Sequence, residues 1–346
     1  MNKKDTVFVG VSGGVDSSVS LALLKSQGYN VVGCFIKTWQ PDFIECTWKN
    51  ERRDAMRVCA ALDVPFLTID AEKEYKEFVG EYFINEYKAG RTPNPDVMCN
   101  KEVKFGVFLK KALEMGADFV ATGHYAQNKS AKLFRGKDDE KDQSYFLWTL
   151  TKSQLEKIIF PIGHLKKKEV REIAKKYNLT TAEKKDSQGV CFLGPIDMKD
   201  FLAHYIPKKR GDVLNEDGEI VGLHEGVLFF TLGERHGFEI TKKGTEDKRL
   251  YVVERDLDKN TITVSENINS EKLADKKEFT ISQINWIRKP EEGKKYEAQV
   301  RYRQKPELCF VEGDRIIFDN PQNTASRGQS IVVYEGQECL GGGIIK

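Results

Sequence analysis

A short apolar run near the start of the chain leads directly into a polar turn that contains two adjacent glycines. Residues 7–11 are apolar, and residues 12–18 read Ser-Gly-Gly-Val-Asp-Ser-Ser before a helical spacing of apolar side chains begins. Glycine lets the backbone approach an anion closely, and the first N–H groups of a helix carry partial positive charge. The pattern predicts a phosphate-binding loop between a strand and a helix, with an ordinary helix cap as the alternative.

Two common phosphate-binding signatures do not occur in the sequence. The loop of kinases and GTPases needs Gly-Lys followed by Ser or Thr, and the dinucleotide fingerprint needs Gly-x-Gly-x-x-Gly. The turn at residues 12–18 therefore indicates a different class of nucleotide-binding site.

Strand-like and helix-like patterns alternate over the first 125 residues. Apolar runs at residues 31–36, 66–69 and 118–122 are separated by helical stretches, which is typical of a parallel sheet with helices on both faces and ligands at the carboxyl ends of its strands. From about residue 207 the pattern changes to short strands with regular turns, one of them predicted over residues 298–302. We expect an α/β chain with a doubly wound domain over 1–206, a small β-rich domain over 207–275 and a β-barrel over 276–346.

Composition places this chain among folded proteins. Its 346 residues include 20 Phe, 12 Tyr and 4 Trp, and aromatic residues at this density supply enough apolar area to offset chain entropy. No stretch approaches the roughly 20 apolar residues of a membrane-spanning helix. The first residues lack an export signal, so the seven cysteines indicate a reducing, cytoplasmic location.

The formal net charge of +2 conceals a local basic excess. Residues 101–200 contain 20 Lys and Arg but 14 Asp and Glu, a surplus of 6. The favoured interpretation places Lys166, Lys167, Lys168, Lys184 and Lys185 on solvated helix faces. A polyanionic partner is the alternative.

Two cysteines lie in polar stretches beside lysines. Cys99 follows Pro93 and Pro95, which predict an extended, stiff loop, and Lys101 comes shortly after it. Cys191 follows a pair of lysines in a glycine-containing loop. Nearby ammonium groups favour the nucleophilic thiolate form of a thiol, so these two cysteines are candidates for chemistry.

The remaining cysteines are expected to be small apolar core residues. Cys34 and Cys309 lie in strand-like runs and Cys59 lies in a helical one, and the same interpretation is favoured for Cys46 and Cys339. No Cys-x-x-Cys pair or Cys/His cluster occurs, so no zinc site is expected.

The chain resembles the tRNA 2-thiouridylases, a family of PP-loop ATP pyrophosphatases, over essentially its whole length. The glycine loop carries the PP-loop signature, and six further segments occur in that family's order: residues 92–101, 121–125, 141–147, 189–192, 231–237 and 339–345. The resemblance implies that ATP, with Mg²⁺, adenylates the C2 oxygen of the anticodon wobble uridine and that sulfur from a cysteine persulfide then displaces AMP. No role is assigned to residues 231–237.

The resemblance implies roles for individual residues. Cys191 would carry the persulfide, and Cys99 would attack it and leave a Cys99–Cys191 disulfide; release of free sulfide and direct attack by the persulfide both remain open. Asp96 would act as a general base or orient the uridine, with a simple Asx turn as the alternative. The ATP-binding residues would be Gly10, Val11, Ser12, Gly13, Gly14, Val15, Asp16, Ser17, Ser18, Ile36 and Gly123.

The same resemblance implies an RNA surface. Asn94, Pro95 and Asp96 would meet the target base. The residues expected to contact the anticodon stem-loop of tRNA are His124, Lys141, Asp142, Gln143, Arg301, Tyr302 and Gln329. Sulfur would come from a persulfide donor such as a cysteine desulfurase or a sulfur-relay protein.

Three alternatives stay open from the sequence. The chain could be another adenylating enzyme, a ligase or amidotransferase, or it could bind nucleotide and RNA without chemistry. The thiols and Asp96 could also hold an iron–sulfur cluster.

Overall fold

The computed structural model describes residues 4–44, 47–185, 197–242, 249–267 and 276–346. Cys46, Cys191 and the motif at residues 189–192 lie outside these ranges.

Three sheets and nine α-helices form the described part of the chain. The strands are β1 Thr6–Gly10, β2 Asn30–Lys37, β3 Phe66–Asp70, β4 Phe119–Ala121, β5 Ala126–Lys129, β6 Lys132–Arg135, β7 Ile158–Ile159, β8 Gly211–Leu214, β9 Ile220–His224, β10 Phe238–Ile240, β11 Tyr251–Asp256, β12 Thr261–Ser265, β13 Glu278–Trp286, β14 Tyr296–Gln299, β15 Glu307–Glu312, β16 Arg315–Phe318, β17 Ser330–Glu335 and β18 Glu338–Ile345. The α-helices are α1 Val15–Ser26, α2 Trp48–Ala61, α3 Glu72–Tyr75, α4 Tyr82–Lys88, α5 Pro95–Met98, α6 Leu109–Glu114, α7 Lys152–Leu155, α8 Lys167–Lys176 and α9 Met198–Ala203. Two π-helical segments, Lys76–Glu81 and Cys99–Phe108, and two 3₁₀ turns, Ser144–Leu147 and Val227–Phe229, complete the helical elements described.

The first sheet is parallel throughout, in the order β3-β2-β1-β4-β7. Val7 and Val9 on the central strand are fully buried, because helices cover both faces of such a sheet. The strand order reverses between β1 and β4, and ligands of doubly wound sheets bind at this crevice. The predicted α/β class is confirmed, and the glycine loop follows β1 at this point.

The other two sheets are mainly antiparallel. The second has the order β10-β9-β8-β12-β11. In the third, β13, β16, β15, β14, β17 and β18 close into a six-stranded barrel through an additional β13–β18 pairing. The β5–β6 hairpin, which comes from the first part of the chain, pairs with β18 and so extends the barrel sheet.

One strand boundary was predicted wrongly. The apolar pattern predicts a strand over 298–302, but β14 ends at Gln299 and residues 300–303 form a bend and a turn. Arg303 has a φ of +63°, which is incompatible with continued extended backbone. Arg301 and Tyr302 therefore project from a turn and not from a strand face.

Four cysteines are core residues, as the sequence predicts. Cys34, Cys59, Cys309 and Cys339 are each at most 1% exposed. Burial raises the pKa of Cys34 to about 12, with a contribution from Cys59, and raises the pKa of Cys59 to about 11. Burial also raises the pKa of Cys309 and of Cys339 to about 12.

We expect Cys34 and Cys309 to resist alkylation in the folded protein. At pH 8 a thiol with a pKa near 12 is ionised about a thousandfold less than one at the ordinary value near 9, and only the thiolate reacts. Iodoacetamide labelling followed by mass spectrometry should show both sites modified at least about a hundredfold more slowly than in the guanidinium-unfolded chain. Equal rates in the two states would contradict the buried placement.

No helix among the described residues combines the length and the apolar character that a membrane crossing requires.

Candidate functional site

The glycine loop is a tight turn held together by its own side chains. Gly13 has a φ of +75°, which favours glycine, and Gly14 precedes the first residue of α1 in an extended conformation. The Ser12 N–H donates to Ser17 Oγ at 3.2 Å, and the Ser18 hydroxyl donates to the Gly14 carbonyl at 2.8 Å. This backbone presents a helix N-terminus at the switch point of the sheet, the arrangement that binds anions.

Neighbouring elements leave no room for side chains at two of the glycines. A Cβ on Gly13 would lie 2.7 Å from the Glu51 carbonyl oxygen on α2. A Cβ on Gly123, just beyond β4, would lie 2.7 Å from Ser17 N and 2.8 Å from Asp16 C. The turn after β4 therefore packs directly against the first turn of α1. The two segments that border the crevice, after β1 and after β4, therefore meet at the glycine loop.

Two lysines that the sequence placed on solvated faces instead contact this loop. Lys167 Nζ lies 2.7 Å from Asp16 Oδ1 and 2.9 Å from Oδ2, and its side chain is only 14% exposed. Tyr125 donates its hydroxyl to the same carboxylate at 2.8 Å. Lys184 Nζ donates to the Gly13 carbonyl at 3.0 Å and pairs with Asp54 at 2.8 Å. The solvated-face interpretation is wrong for Lys167, whereas Lys184 contacts the loop and its side chain remains 39% exposed.

The remaining predicted nucleotide contacts lie on the strands. Val11 donates its N–H to the Cys34 carbonyl at 2.8 Å, which extends the sheet beyond β1. Ile36 is 6% exposed and its side chain belongs to the core. At Gly10, an added Cβ would be in ordinary contact with Phe108 at 3.6 Å, so the helical segment that begins at Cys99 ends against the last residue of β1.

The proline-containing stretch is non-helical up to Asn94, which is extended, but it becomes helical at Pro95, where the extended-loop prediction is wrong. Asn94 caps α5: its side-chain oxygen accepts from Asp96 N at 3.1 Å and Val97 N at 3.2 Å. Pro95 occupies the first helical position, where its fixed φ and missing N–H cost nothing. An Asn-Pro pair is a helix-start signal, and it was available in the sequence.

Cys99 lies at the junction between α5 and the π-helical segment Cys99–Phe108 and is fully buried. Segments of π-helix frequently occur at functional sites. The partly exposed residues of this region are Asn94, Pro95 and Asp96, while Thr92 and Val97 on either side are buried. The three residues predicted to meet the target base are thus the accessible ones.

Three family models match the chain in succession. Residues 5–195 match the tRNA methyl transferase HUP domain, residues 199–266 the tRNA methyl transferase PRC-barrel domain, and residues 276–345 the aminomethyltransferase beta-barrel domain.

Curated relatives match over nearly their full length. The tRNA-specific 2-thiouridylase MnmA 2 of Geobacillus kaustophilus is 46% identical over 100% of this chain and 96% of its own. MnmA of Streptococcus thermophilus is 46% identical over 99% of this chain and 96% of its own. MnmA of Bacillus subtilis is 46% identical over 98% of this chain and 94% of its own. The chain belongs to the MnmA family of tRNA-specific 2-thiouridylases. The recognised family is confirmed, its members are tRNA sulfurtransferases, and membership implies ATP for the phosphate loop and tRNA as substrate.

The first tRNA contact that the MnmA resemblance implies, His124, lies in the interior. It is 7% exposed, and its ring packs near Phe105 and Phe160. Its Nδ1 lies 2.7 Å from Thr122 Oγ1 and its Nε2 lies 3.5 Å from Lys104 Nζ. Burial, reinforced by the Lys104 charge, holds the pKa of His124 well below its usual value. In this structure His124 is a neutral group between the Cys99 helical segment and the turn after β4.

The second implied contact segment of the MnmA chain shapes a loop. Asp142 is buried and accepts from the N–H groups of Gly136 at 2.8 Å and Ser144 at 3.1 Å. Gln143 exchanges hydrogen bonds with the Tyr125 backbone. Lys141 is partly exposed. A contact with tRNA stays a prediction for all three residues.

The third implied contact set lies on the barrel. Arg301 donates from Nη2 to the Leu232 carbonyl at 2.5 Å. Its Nε, like Gln329 Oε1, is buried and has no hydrogen-bond partner among the residues that the structure describes. The Tyr302 ring packs against Phe146 with centroids 4.4 Å apart. Burying an unsatisfied polar group costs about 1–3 kcal/mol. A contact with tRNA stays a prediction for Arg301, Tyr302 and Gln329.

Within the described ranges, no three His, Cys, Asp or Glu side chains are grouped closely enough to hold a metal ion. Cys191 lies outside those ranges, so a cluster that includes it is not tested. The Cys99–Cys191 disulfide is untested for the same reason.

Proposed function

We propose that this MnmA-family chain uses ATP to adenylate the C2 oxygen of the wobble uridine in a tRNA anticodon and then replaces that oxygen with sulfur. The observation that carries the proposal is the placement of the Cys99 segment against the phosphate loop. This helical segment ends at Phe108 beside Gly10 and reaches from Lys104 to His124, next to Gly123. The helical segment that begins at the predicted nucleophile thus contacts the strand ends beside the predicted nucleotide site.

Activation comes first in the proposed sequence. The uridine O2 attacks the α-phosphorus of ATP and pyrophosphate leaves, which gives an O-adenylated uridine. A carbonyl oxygen is a poor leaving group, whereas AMP is a good one, so one difficult step becomes two easier ones. The glycine loop would hold the phosphates, and the ammonium groups of Lys167 and Lys184, already at the loop, would balance their charge.

Sulfur transfer follows by one of two balanced routes. In the first, the Cys99 thiolate attacks Cys191 Sγ of the persulfide and expels hydrosulfide, which adds to C2 as AMP leaves with the oxygen. In the second, the terminal persulfide sulfur adds to C2 and expels AMP, and Cys99 then attacks Cys191 Sγ to release 2-thiouridine. Both routes end in a Cys99–Cys191 disulfide that a reductant must open before the next cycle. Asp96, at the accessible start of α5, would orient the uridine.

Mg²⁺ is proposed to arrive with the nucleotide. This ion prefers oxygen ligands and is typically held by phosphates and one or two carboxylates. The loop supplies one carboxylate, Asp16, which Lys167 and Tyr125 hold in place. The donor set therefore fits an ion carried by ATP better than an ion held by protein ligands alone.

We propose the anticodon stem-loop as the part of tRNA that is bound and the cytoplasm as the site of action, where a reducing pool resets the disulfide. The resemblance to the family supports an RNA contact at Arg301, Tyr302 and Gln329 beside the barrel. The sulfur donor would be a cysteine desulfurase or a sulfur-relay protein.

A reconstituted reaction tests this function. Protein, ATP, Mg²⁺, unmodified tRNA, cysteine, a cysteine desulfurase and a reductant should yield AMP, pyrophosphate and 2-thiouridine in equal amounts, measured by chromatography of nucleotides and digested tRNA. AMP formed only with ammonia, without a thionucleoside, would instead indicate an amidotransferase, and no AMP would indicate a binding protein. The Cys191→Ser protein should form no thionucleoside; if it still thiolates tRNA, the persulfide assignment is wrong. Iron content that tracks activity would favour the iron–sulfur alternative.

A further inference from the structure

Thr92, two residues before the cap of α5, lies where three parts of the fold meet. Its N–H donates to the Arg327 carbonyl on a barrel loop at 2.7 Å. Its hydroxyl lies 3.2 Å from the hydroxyl of Thr231. Thr231 belongs to the part of the chain that forms the second sheet, strands β8–β12, which we call the second unit. Thr92 is 7% exposed and its bond to Thr231 is partly buried, so losing either partner is costly.

On the side of the second unit, hydrogen bonds and an ion pair hold the turn that contains Thr231. Thr231 donates its N–H to Glu234 Oε2 at 3.0 Å, and Glu234 pairs with Lys199 at 2.7 Å. Gly233, with a φ of +82°, donates to the Val252 carbonyl at 2.7 Å and so ties the turn to β11. This turn begins the motif at residues 231–237, for which the sequence offered no role.

The barrel side fits equally closely. Gly328 has a φ of +89°, and a Cβ there would lie 3.0 Å from both Arg91 Cβ and Thr92 N. Gly328 N donates to the Ile345 carbonyl at 2.9 Å, which connects the contact to the last strand of the barrel. Arg301, beside the barrel, donates to the Leu232 carbonyl in the second unit. The barrel and the second unit therefore also contact each other directly.

A guanidinium reinforces the start of the Thr92 segment. Arg255 on β11 donates to the Gly90 carbonyl at 2.9 Å and also to the Phe230 carbonyl. The chain is therefore fixed on both sides of Arg91 before it enters α5. Cys99 lies seven residues after Thr92, and the four residues before it form α5.

We propose that Thr92 is a positioning residue that fixes α5, with Asp96 and Cys99, relative to the barrel and the second unit on which tRNA docks. The inference rests on the proposed function. Thr92 contacts no reacting atom; it sets where the wobble base meets the nucleophile. Misplacement by about 1 Å can cost a hundredfold in rate without weakening binding, so the expected loss is in kcat and not in the KM for tRNA.

The test compares Thr92→Val, which removes the hydroxyl, with Thr92→Ser, which keeps it. Thr181→Val is the matched control: Thr181 is 2% exposed and its hydroxyl has no partner in the described ranges. Thr92→Val should lower kcat for thiolation about 10- to 100-fold with KM for tRNA within about threefold, and Thr92→Ser should remain near wild type. Cys99 should be alkylated faster in folded Thr92→Val than in wild type, measured by mass spectrometry.

Thr231→Val provides an independent check from the other side of the junction. It should reproduce the kcat loss, and the double variant should lose little more than either single one, because residues in one hydrogen bond are not additive. Additive losses, a Thr92→Val rate equal to that of Thr181→Val, or a loss confined to KM would overturn the proposal. A wild-type protein that fails to thiolate tRNA would instead refute the proposed function, whereas the alkylation rates would still test the positioning role.

Discussion

Cys99→Ser is expected to lower 2-thiouridine formation at least about a thousandfold while ATP-dependent pyrophosphate release continues. Serine has nearly the same shape, but its hydroxyl is not ionised near neutral pH and cannot attack a persulfide. The phosphate loop belongs to different elements, β1 and α1, so activation of the uridine should persist. The measurement is parallel quantification of pyrophosphate and thionucleoside in single-turnover reactions.

The same variant separates the two sulfur-transfer routes. If the persulfide attacks C2 directly, Cys99→Ser should stop the reaction at a tRNA joined to Cys191 through a disulfide. That adduct would migrate as a protein–RNA species on a denaturing gel and would disappear on reduction. If Cys99 first releases hydrosulfide, no adduct should form. Either result is compatible with Cys99 as the attacking thiol.

Cys59→Ser is the matched control. Cys59 is 1% exposed on α2 and its thiol has a pKa raised by burial, so it reports the cost of placing a hydroxyl in a buried cysteine position. We expect a stability loss of about 1–2 kcal/mol in both variants but thiolation near wild type in Cys59→Ser. Thiolation by Cys99→Ser at the rate of Cys59→Ser would remove Cys99 from the mechanism.

Local signals in the sequence account for what was predicted correctly. The strand before the glycine loop and the strand that holds Cys34 are visible as runs of apolar residues, because burial on a parallel sheet leaves such runs. The start of α5 also has a local signal, since Asn94 followed by Pro95 marks a helix start. The extended-loop prediction fails from Pro95 onward because a proline at the first helical position favours the helix.

Long-range contacts explain what the sequence did not reveal. Lys167 meets Asp16 across 151 positions, and Thr92 meets Thr231 across 139. The spacing of apolar residues along the chain does not show which distant residues are in contact. The pairing of the β5–β6 hairpin with the barrel is not predicted for the same reason, since its neighbour β18 is the last strand of the chain. The resemblance supplied an order of motifs, and only the tertiary structure shows that Thr231, at the start of residues 231–237, contacts Thr92.

Gly123→Ala is expected to reduce ATP-dependent pyrophosphate release at least about a hundredfold. A Cβ at this position would lie 2.7 Å from Ser17 N and 2.8 Å from Asp16 C. Both are backbone atoms in the first turn of α1, so the conflict cannot be relieved by rotating a side chain. The helix start must shift away from β4, and the loop that would hold the phosphates shifts with it. ATP binding by equilibrium titration should weaken in parallel.

A loss of stability alone would not produce this result. Gly336→Ala is the control that separates a loss of stability from a displaced phosphate loop. Gly336, in the turn between β17 and β18, has a φ of +57° and no atom within 4 Å of an added Cβ. Alanine there costs about 1–2 kcal/mol of backbone strain, comparable to the 1–3 kcal/mol typical of a crowded substitution. Because the turn lies on the barrel, Gly336→Ala should lower the thermal unfolding midpoint yet release pyrophosphate at the wild-type rate. If Gly123→Ala binds ATP and releases pyrophosphate as Gly336→Ala does, the nucleotide does not occupy the crevice between β1 and β4.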